Sequence, residues 1–529
     1  MADVAICTGV DINGFHPLTN NQYAFRGQQD IDEDIETMRH PATVLVTVSA
    51  CCYLITALVG VWAAYDRTAA LTRLGVLLAG LVLAFGVAWA GRRHAKTVLG
   101  YVGLGSALVA AGIALVFVVG LYKDSGAAAS SIMVLLPLGL GGFLWYRICQ
   151  KHLMAAVGAG ALAVGLLGLV WSLERTAWIG LVAGVASSAY LYRRFRSEQA
   201  GLAWRVADVL LAAGIVAGLI FFWQVLANPK IDDFLRVVPA AGLLLERIPL
   251  WRESLALIQD YRYSGSGLGS TAMVYSTYIL LLHVPFFYHA HNLYLQIAIE
   301  QGYRRCGPNS RLFCLTTLSS FVAALVYGFL DAELYVTVMV PMLFLPFGCA
   351  LALHLATQWR RPLSRHAVAN TASALPSRHL LGGVALLPLL AIALLFLLPG
   401  TIAKLNANFG AVAQTRAELS LFRWPEWPLQ DQLRRQDGVD LTKAHQYYRA
   451  ALAKEPANVT ALERLGQIAL SQGDYEQAQK HLEAAHRVAP ERSSVRQMLG
   501  EVYAVTGNIE AAAALWQTID TEPGQLAVR

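Results

Sequence analysis

"HLMAAVGAGALAVGLLGLVWSLERTAWIG", residues 152–180, decides what kind of molecule this is. Its first part runs uncharged for about 20 residues, the length a helix needs to cross the hydrocarbon of a bilayer. A tight turn follows at 174–176, and a second apolar run opens at once. Two spans joined by a charged turn describe a polytopic membrane protein. The rest of the chain agrees. Comparable runs stand at 43–64, 74–91, 98–121, 130–146, 154–173, 176–193, 206–226, 312–330, 335–356 and 380–399, ten in all, with 130–146 and 176–193 the weakest. Only 14% of the 529 residues are charged and 56% are hydrophobic, where a soluble chain would carry about 25% charge.

Cys51, Cys52 and Cys349 lie in apolar runs, which is packing usage rather than a disulfide framework. The net charge of +6 is small and the basic residues flank the runs, so they read as topology signals, not a nucleic-acid surface. "GRRHAK" (91–96), "RICQKH" (147–152) and "RRFRSEQAGLAWR" (193–205) fall on alternate loops, which places those loops in the cytoplasm. The turn at 174–176 and the long loop at 227–290 then face outward. Residues 1–42 form a polar N-terminal segment whose "DIDED" (30–34) reads as a solvated charge run rather than a metal site.

Past residue 400 the character changes. Pro456 and Pro490 are 34 residues apart, as are Leu465-Gly466 and Leu499-Gly500, Gly473 and Gly507, and Ala444, Ala478 and Ala512. Small residues at fixed places let paired helices approach closely, and the proline ends the second helix. This period resembles the tetratricopeptide repeat. It covers 441–518 as two and a half repeats, after a linker at 401–440 and before a tail at 519–529. Such repeats bind a protein partner or brace a neighbouring domain. In the linker, Trp424 and Trp427 read as an interfacial belt.

The outward loop holds "LLLERIPLWRESLALIQDYRYSGSGLGS" (243–270), with Arg247, Trp251 and Arg252 on one predicted helix. Five residues separate the two arginines, about 140° around a helix, so both need not face one ligand. Gly265, Gly267 and Gly269 follow at alternate positions. No strand–helix unit accompanies them, so they let the backbone turn sharply beside a ligand rather than cradle a nucleotide. Then comes "AHNLYLQIAIEQG" (290–302), which concentrates polar groups in an apolar setting.

Four pieces in this order resemble the O-antigen ligase and O-antigen polymerase superfamily. They are Arg175 before Ala-Trp-Ile-Gly, Arg247 four residues ahead of Trp251, the Gly-x-Gly turn, and the 290–302 segment. The resemblance covers roughly 130–350 and implies an all-α bundle of about 10–11 spans (43–400) followed by the repeats. It also implies a metal-independent glycosyltransferase without a cofactor, in the bacterial cytoplasmic (inner) membrane. Its donor is a glycan on undecaprenyl diphosphate at the outer face, and its acceptor is a lipid, glycan or protein hydroxyl.

The residues suit that chemistry. A departing diphosphate needs cations, and arginine binds phosphate oxygens bidentately while staying charged beside lipid. A hydroxyl acceptor needs a base, and histidine titrates in the useful range. Arg175, Arg247 and His291 are therefore the expected catalytic residues, with Arg252, Asn292, Gly265, Gly267 and Glu300 binding substrate. His283 and His289 match no motif position.

Alternative readings are a polymerase, a protein O-oligosaccharyltransferase, and, outside enzymes, a transporter or a repeat-bearing scaffold. A transporter would show charges at mid-span, but Asp208 lies near a span end. The family has a span after Glu-x-Gly, where this chain has "YRRCGPNSR" (303–311) followed at once by the next apolar run. Ten spans would put the repeats in the cytoplasm. The basic loops, including 360–366, put them outside, which requires that residues around 280–302 cross or that a helix has been lost.

Overall fold

The computed structural model describes residues 41–196, 220–225, 242–281, 311–359, 400–420, 434–435, 439–517 and 519. Among them the regular structure is entirely helical. Eight of the ten apolar runs coincide with described helices: α1 (Pro41–Ala63), α2 (Arg67–Val118), α3 (Ser125–Ile148), α4 (His152–Ser172), α5 (Arg175–Arg196), α8 (Arg311–Leu330) and α10 (Pro341–Trp359). The intervening α6 (Gly242–Asp260), α7 (Thr271–Tyr278) and α9 (Glu333–Val336) connect them. Helices α2, α3 and α4 are long and apolar enough to cross a membrane, and shorter apolar stretches lie at 50–63, 315–328 and 341–356.

Helix α2 accounts for two runs. Its 52 residues would reach about 78 Å if straight, well over twice the hydrocarbon thickness. It breaks at His94 (φ −128°, ψ 49°), inside the basic hexapeptide, and turns back. The first half runs parallel to α10: Arg73 donates to the Thr337 carbonyl at 3.0 Å, Gly80 faces Phe344, and Gly91 faces Ala352. The second half runs antiparallel to α3. There Gly103 and Gly142 touch backbone to backbone, and a Cβ on either would lie 2.6 Å from the other helix. Such small residues give membrane helices their close approach.

These pairings sort the helix ends into two groups. One end, the loop end, gathers residues 63–73, 118–126, 172–176 and 330–340. Ser125 bonds Glu174, Glu333 lies against Gly126, and Arg73 sits over the Tyr335 ring. The other, the basic end, holds the turn at His94, residues 148–152 and the last turn of α5. Helix α8 enters at the basic end, because Ser188 bonds the Leu315 carbonyl and Gly184 packs on Ser319.

Residue 281 therefore lies at the loop end and residue 311 at the basic end. Residues 282–310 and 360–399 lie outside the described set, as do 1–40, Trp424 and Trp427. The expected crossing near 280–302 and the alternative of a lost helix both fall there.

The repeats form α12 (Thr442–Lys454), α13 (Val459–Gln472), α14 (Tyr475–Val488), α15 (Ser493–Val505) and α16 (Ile509–Trp516), preceded by α11 (Thr401–Leu419). Asn458, Asp474 and Asn508 cap α13, α14 and α16 by accepting a backbone N–H three residues on. Tyr448, Leu482 and Trp516 stand 34 residues apart, and each side chain covers a glycine on the preceding helix: Gly410, Gly466 and Gly500. Helix α11, inside the segment read as a linker, thus supplies the missing first helix of a third pair.

Candidate functional site

The loop end carries the arginines. Leu173 closes α4 in the left-handed region (φ 56°), and Arg175 opens α5 two residues later, exposed. Its neighbour Glu174 accepts from Ser125 at 2.7 Å. Arg247, on α6, is half-buried and ion-paired with Asp331 at 3.5 Å. Asp331 also accepts the N–H of Ala332 at 2.7 Å.

Two residues on, Glu333 rests beside the first turn of α3. Burial, reinforced by Asp124, Asp331 and Glu174, pushes its carboxyl up to about 8, so it is mostly protonated at neutral pH. Three inter-helix turns thus bring Asp124, Glu174, Asp331 and Glu333 together, with Arg247 ion-paired to Asp331 and Arg175 next to Glu174 in sequence. Protonation of Glu333 removes one negative charge from this set, which leaves the cations less neutralised.

Arg252 faces elsewhere. It donates to the Val225 carbonyl at 2.5 Å, while the adjacent Trp251 is buried against Phe222 at 5.4 Å. The two arginines of α6 thus address different neighbours, as their helical spacing predicts.

Gly265, Gly267 and Gly269 all take positive φ, at 68°, 107° and 70°. At Gly267 a Cβ would stand 2.4 Å from Ala64 Cα, and Leu268 donates to the Gly60 carbonyl at 3.2 Å. The close neighbour that demands glycine at 267 is the end of α1. The turn seats α6 and α7 on the bundle.

His291, Asn292 and Glu300 lie outside the described residues. Leu281, ten residues ahead of His291, is described and buried among repeat residues Ala469, Leu482, Met498 and Leu499. Among the described residues, no group of three or more His, Cys, Asp or Glu could hold a metal ion.

Sequence reasoning missed Asp260, the last residue of α6. Fully buried, it accepts from Thr460 (2.7 Å), Arg464 (3.1 Å) and Arg492 (3.2 Å), all on the repeats. Burial alone would raise its pKa, but Arg492 and Arg464 hold it below the usual carboxylate range. A signal existed: a carboxylate at a helix C-terminus opposes the macrodipole and needs a cation to be there.

Residues 160–303 match the family model described as O-antigen ligase. Residues 438–484 and 469–523 match that of the tetratricopeptide repeat. No curated protein and no solved structure matches the chain. Over these segments the chain matches a ligase-like membrane protein with C-terminal tetratricopeptide repeats.

Proposed function

We propose that the protein is a membrane glycosyltransferase. It moves a glycan from undecaprenyl diphosphate to a hydroxyl of a lipid, glycan or protein acceptor at the outer face of the cytoplasmic membrane. What supports this reading is that Arg175, which opens α5, and Arg247, ion-paired with Asp331 at 3.5 Å, both lie at the loop end and within the segment that matches the ligase family.

The acceptor oxygen attacks the anomeric carbon of the donor sugar. The bond from that carbon to the diphosphate oxygen breaks, and its electron pair leaves with the diphosphate. Arg247 and Arg175 take up the charge that develops there. His291 removes the acceptor proton. Asn292 holds the donor, Glu300 orients the acceptor side, and Gly265 and Gly267 shape the turn at the edge of the site; Arg252, expected beside the donor, instead braces α6 through the Val225 carbonyl. Protein partners reached through the repeats fit the general use of such stacks.

Arg247→Ala and His291→Ala should each lower transfer in membranes by about 100-fold or more, the usual worth of a positioned acid–base or charge-stabilising group. Normal insertion with undiminished transfer in either variant would remove that residue from the mechanism. Surface glycans from cells lacking the protein separate the acceptors. Lost attachment at normal chain length indicates a ligase, and single repeat units indicate a polymerase.

A further inference from the structure

Tetratricopeptide stacks present a concave face on which partners bind. Here that face is occupied. The first helices of the three pairs, α11, α13 and α15, turn buried polar side chains toward residues 253–281 of the same chain. Tyr278 donates to Glu418 at 3.0 Å, and Asn408 accepts the N–H groups of Tyr263 and Ser264 at 3.0 and 3.3 Å. Arg464 stacks over the Tyr278 ring at 3.6 Å and reaches Asp260. All of these residues but the partly exposed Tyr263 are buried, and each bond joins the repeat stack to the loop.

We infer that the repeat stack is an intramolecular clamp whose ligand is this chain's own 253–281 segment. Within it, Asp260 is a positioning residue for transfer. This rests on the function proposed above. The clamp holds the arm of the site that α6 carries. Asp260 ends the helix that bears Arg247 and Arg252, and Leu281, packed into the repeats, opens the stretch leading to His291.

The seam is built to be rigid. Arg492 ties Asp260 to Glu463 in one buried ionic group, and Ser493 donates to Glu253 at 2.9 Å about two helical turns earlier. A buried pair that loses one partner leaves an uncompensated charge, so the seam tolerates little displacement. The arginines of α6 keep their register only while it is closed.

The experiment uses the full chain in membranes, with native cysteines replaced by serine and Thr277→Cys as probe, a near-isosteric change at a buried position of α7. Asp260→Asn should raise maleimide labelling of that cysteine about tenfold, through more frequent local opening. It should also raise the KM for the lipid-linked donor, leaving the KM for the acceptor unchanged. A purely structural loss would lower the amount of active enzyme and move neither KM. Thr460→Val, which removes one hydrogen bond to Asp260, should shift the same two readouts by about fivefold or less, and it guards against a global failure of Asp260→Asn to fold.

Unchanged labelling in both variants overturns the clamp. Increased labelling with an unchanged donor KM overturns the positioning role. If the parent chain transfers no glycan, the proposed function fails, and the labelling arm still decides whether the repeats hold the segment.

Discussion

Glu333 is the residue whose protonation the loop end controls. Burial, together with Asp124, Asp331 and Glu174, raises its pKa from 4.5 to about 8, so the folded chain keeps a proton that the unfolded chain releases near 4.5. The folded state therefore binds more protons between those values, and stability falls as pH rises across the window. Glu333→Gln, which fixes the neutral form, should flatten that dependence. In detergent the variant should melt with nearly the same Tm at pH 6 and pH 8.5, whereas the parent loses Tm over the same interval. Parallel curves for the two proteins would mean that Glu333 ionises normally. Asp260 has the opposite sign. Its pKa is held low by Arg492 and Arg464, so its contribution is present above the ordinary carboxylate range and is lost only in acid.

At the scale of elements, the glycine turn after α6 separates two costs that sequence cannot tell apart. Gly267 and Gly269 both have positive φ, yet only Gly267 would press a Cβ into Ala64, whereas nothing lies within 4 Å of a Cβ at Gly269. Gly269→Ala should cost about 1–2 kcal/mol for the backbone alone. Gly267→Ala should cost about 3 kcal/mol or more, because overpacking against backbone adds to the strain. Equal losses of thermal stability would contradict the close approach of this turn to α1. The same distinction explains what was legible. Spans were readable because an uncharged run of about 20 residues has few other stable homes. The two runs inside α2 were readable as separate because "GRRHAK" interrupts them at the break. The 34-residue period marked α12 to α16, since each pair needs a small residue beneath a large one. Helix α11 escaped because Gly410 lies 38 residues before Tyr448, whereas Gly466 and Gly500 each lie 16 before their partners. The extra 22 residues break the period although the packing repeats. The proposed site arginines rest only on motif order. Asp260 and Asp331 act through residues hundreds of positions or several helices away, and no local spacing marks such pairs.

For the whole molecule, the two groups of helix ends suggest a testable proposal for the sides of the membrane. The repeats rest on α6 and α7, and these rest on the loop end, where Arg247 meets Asp331 and Gly267 meets Ala64. The opposite end carries "GRRHAK" at its turn, together with Arg147, Lys151 and Arg193. By the positive-inside rule that basic end would face the cytoplasm, and we propose accordingly that the repeats lie outside. Counting ten apolar runs gives the contrary answer, and labelling decides between the two. In a background with the seven native cysteines replaced by serine, Glu476→Cys offers an exposed probe on α14 and His94→Cys one at the basic turn. A membrane-impermeant maleimide applied to intact cells stripped of any outer barrier should label the cysteine at 476 and spare the one at 94 until the cells are lysed. The reverse pattern would put the repeats, Arg175 and Arg247 in the cytoplasm together, because the buried seam at Asp260 does not allow the stack and the site to lie on different sides. Transfer from an outward-facing donor would then be impossible for this chain.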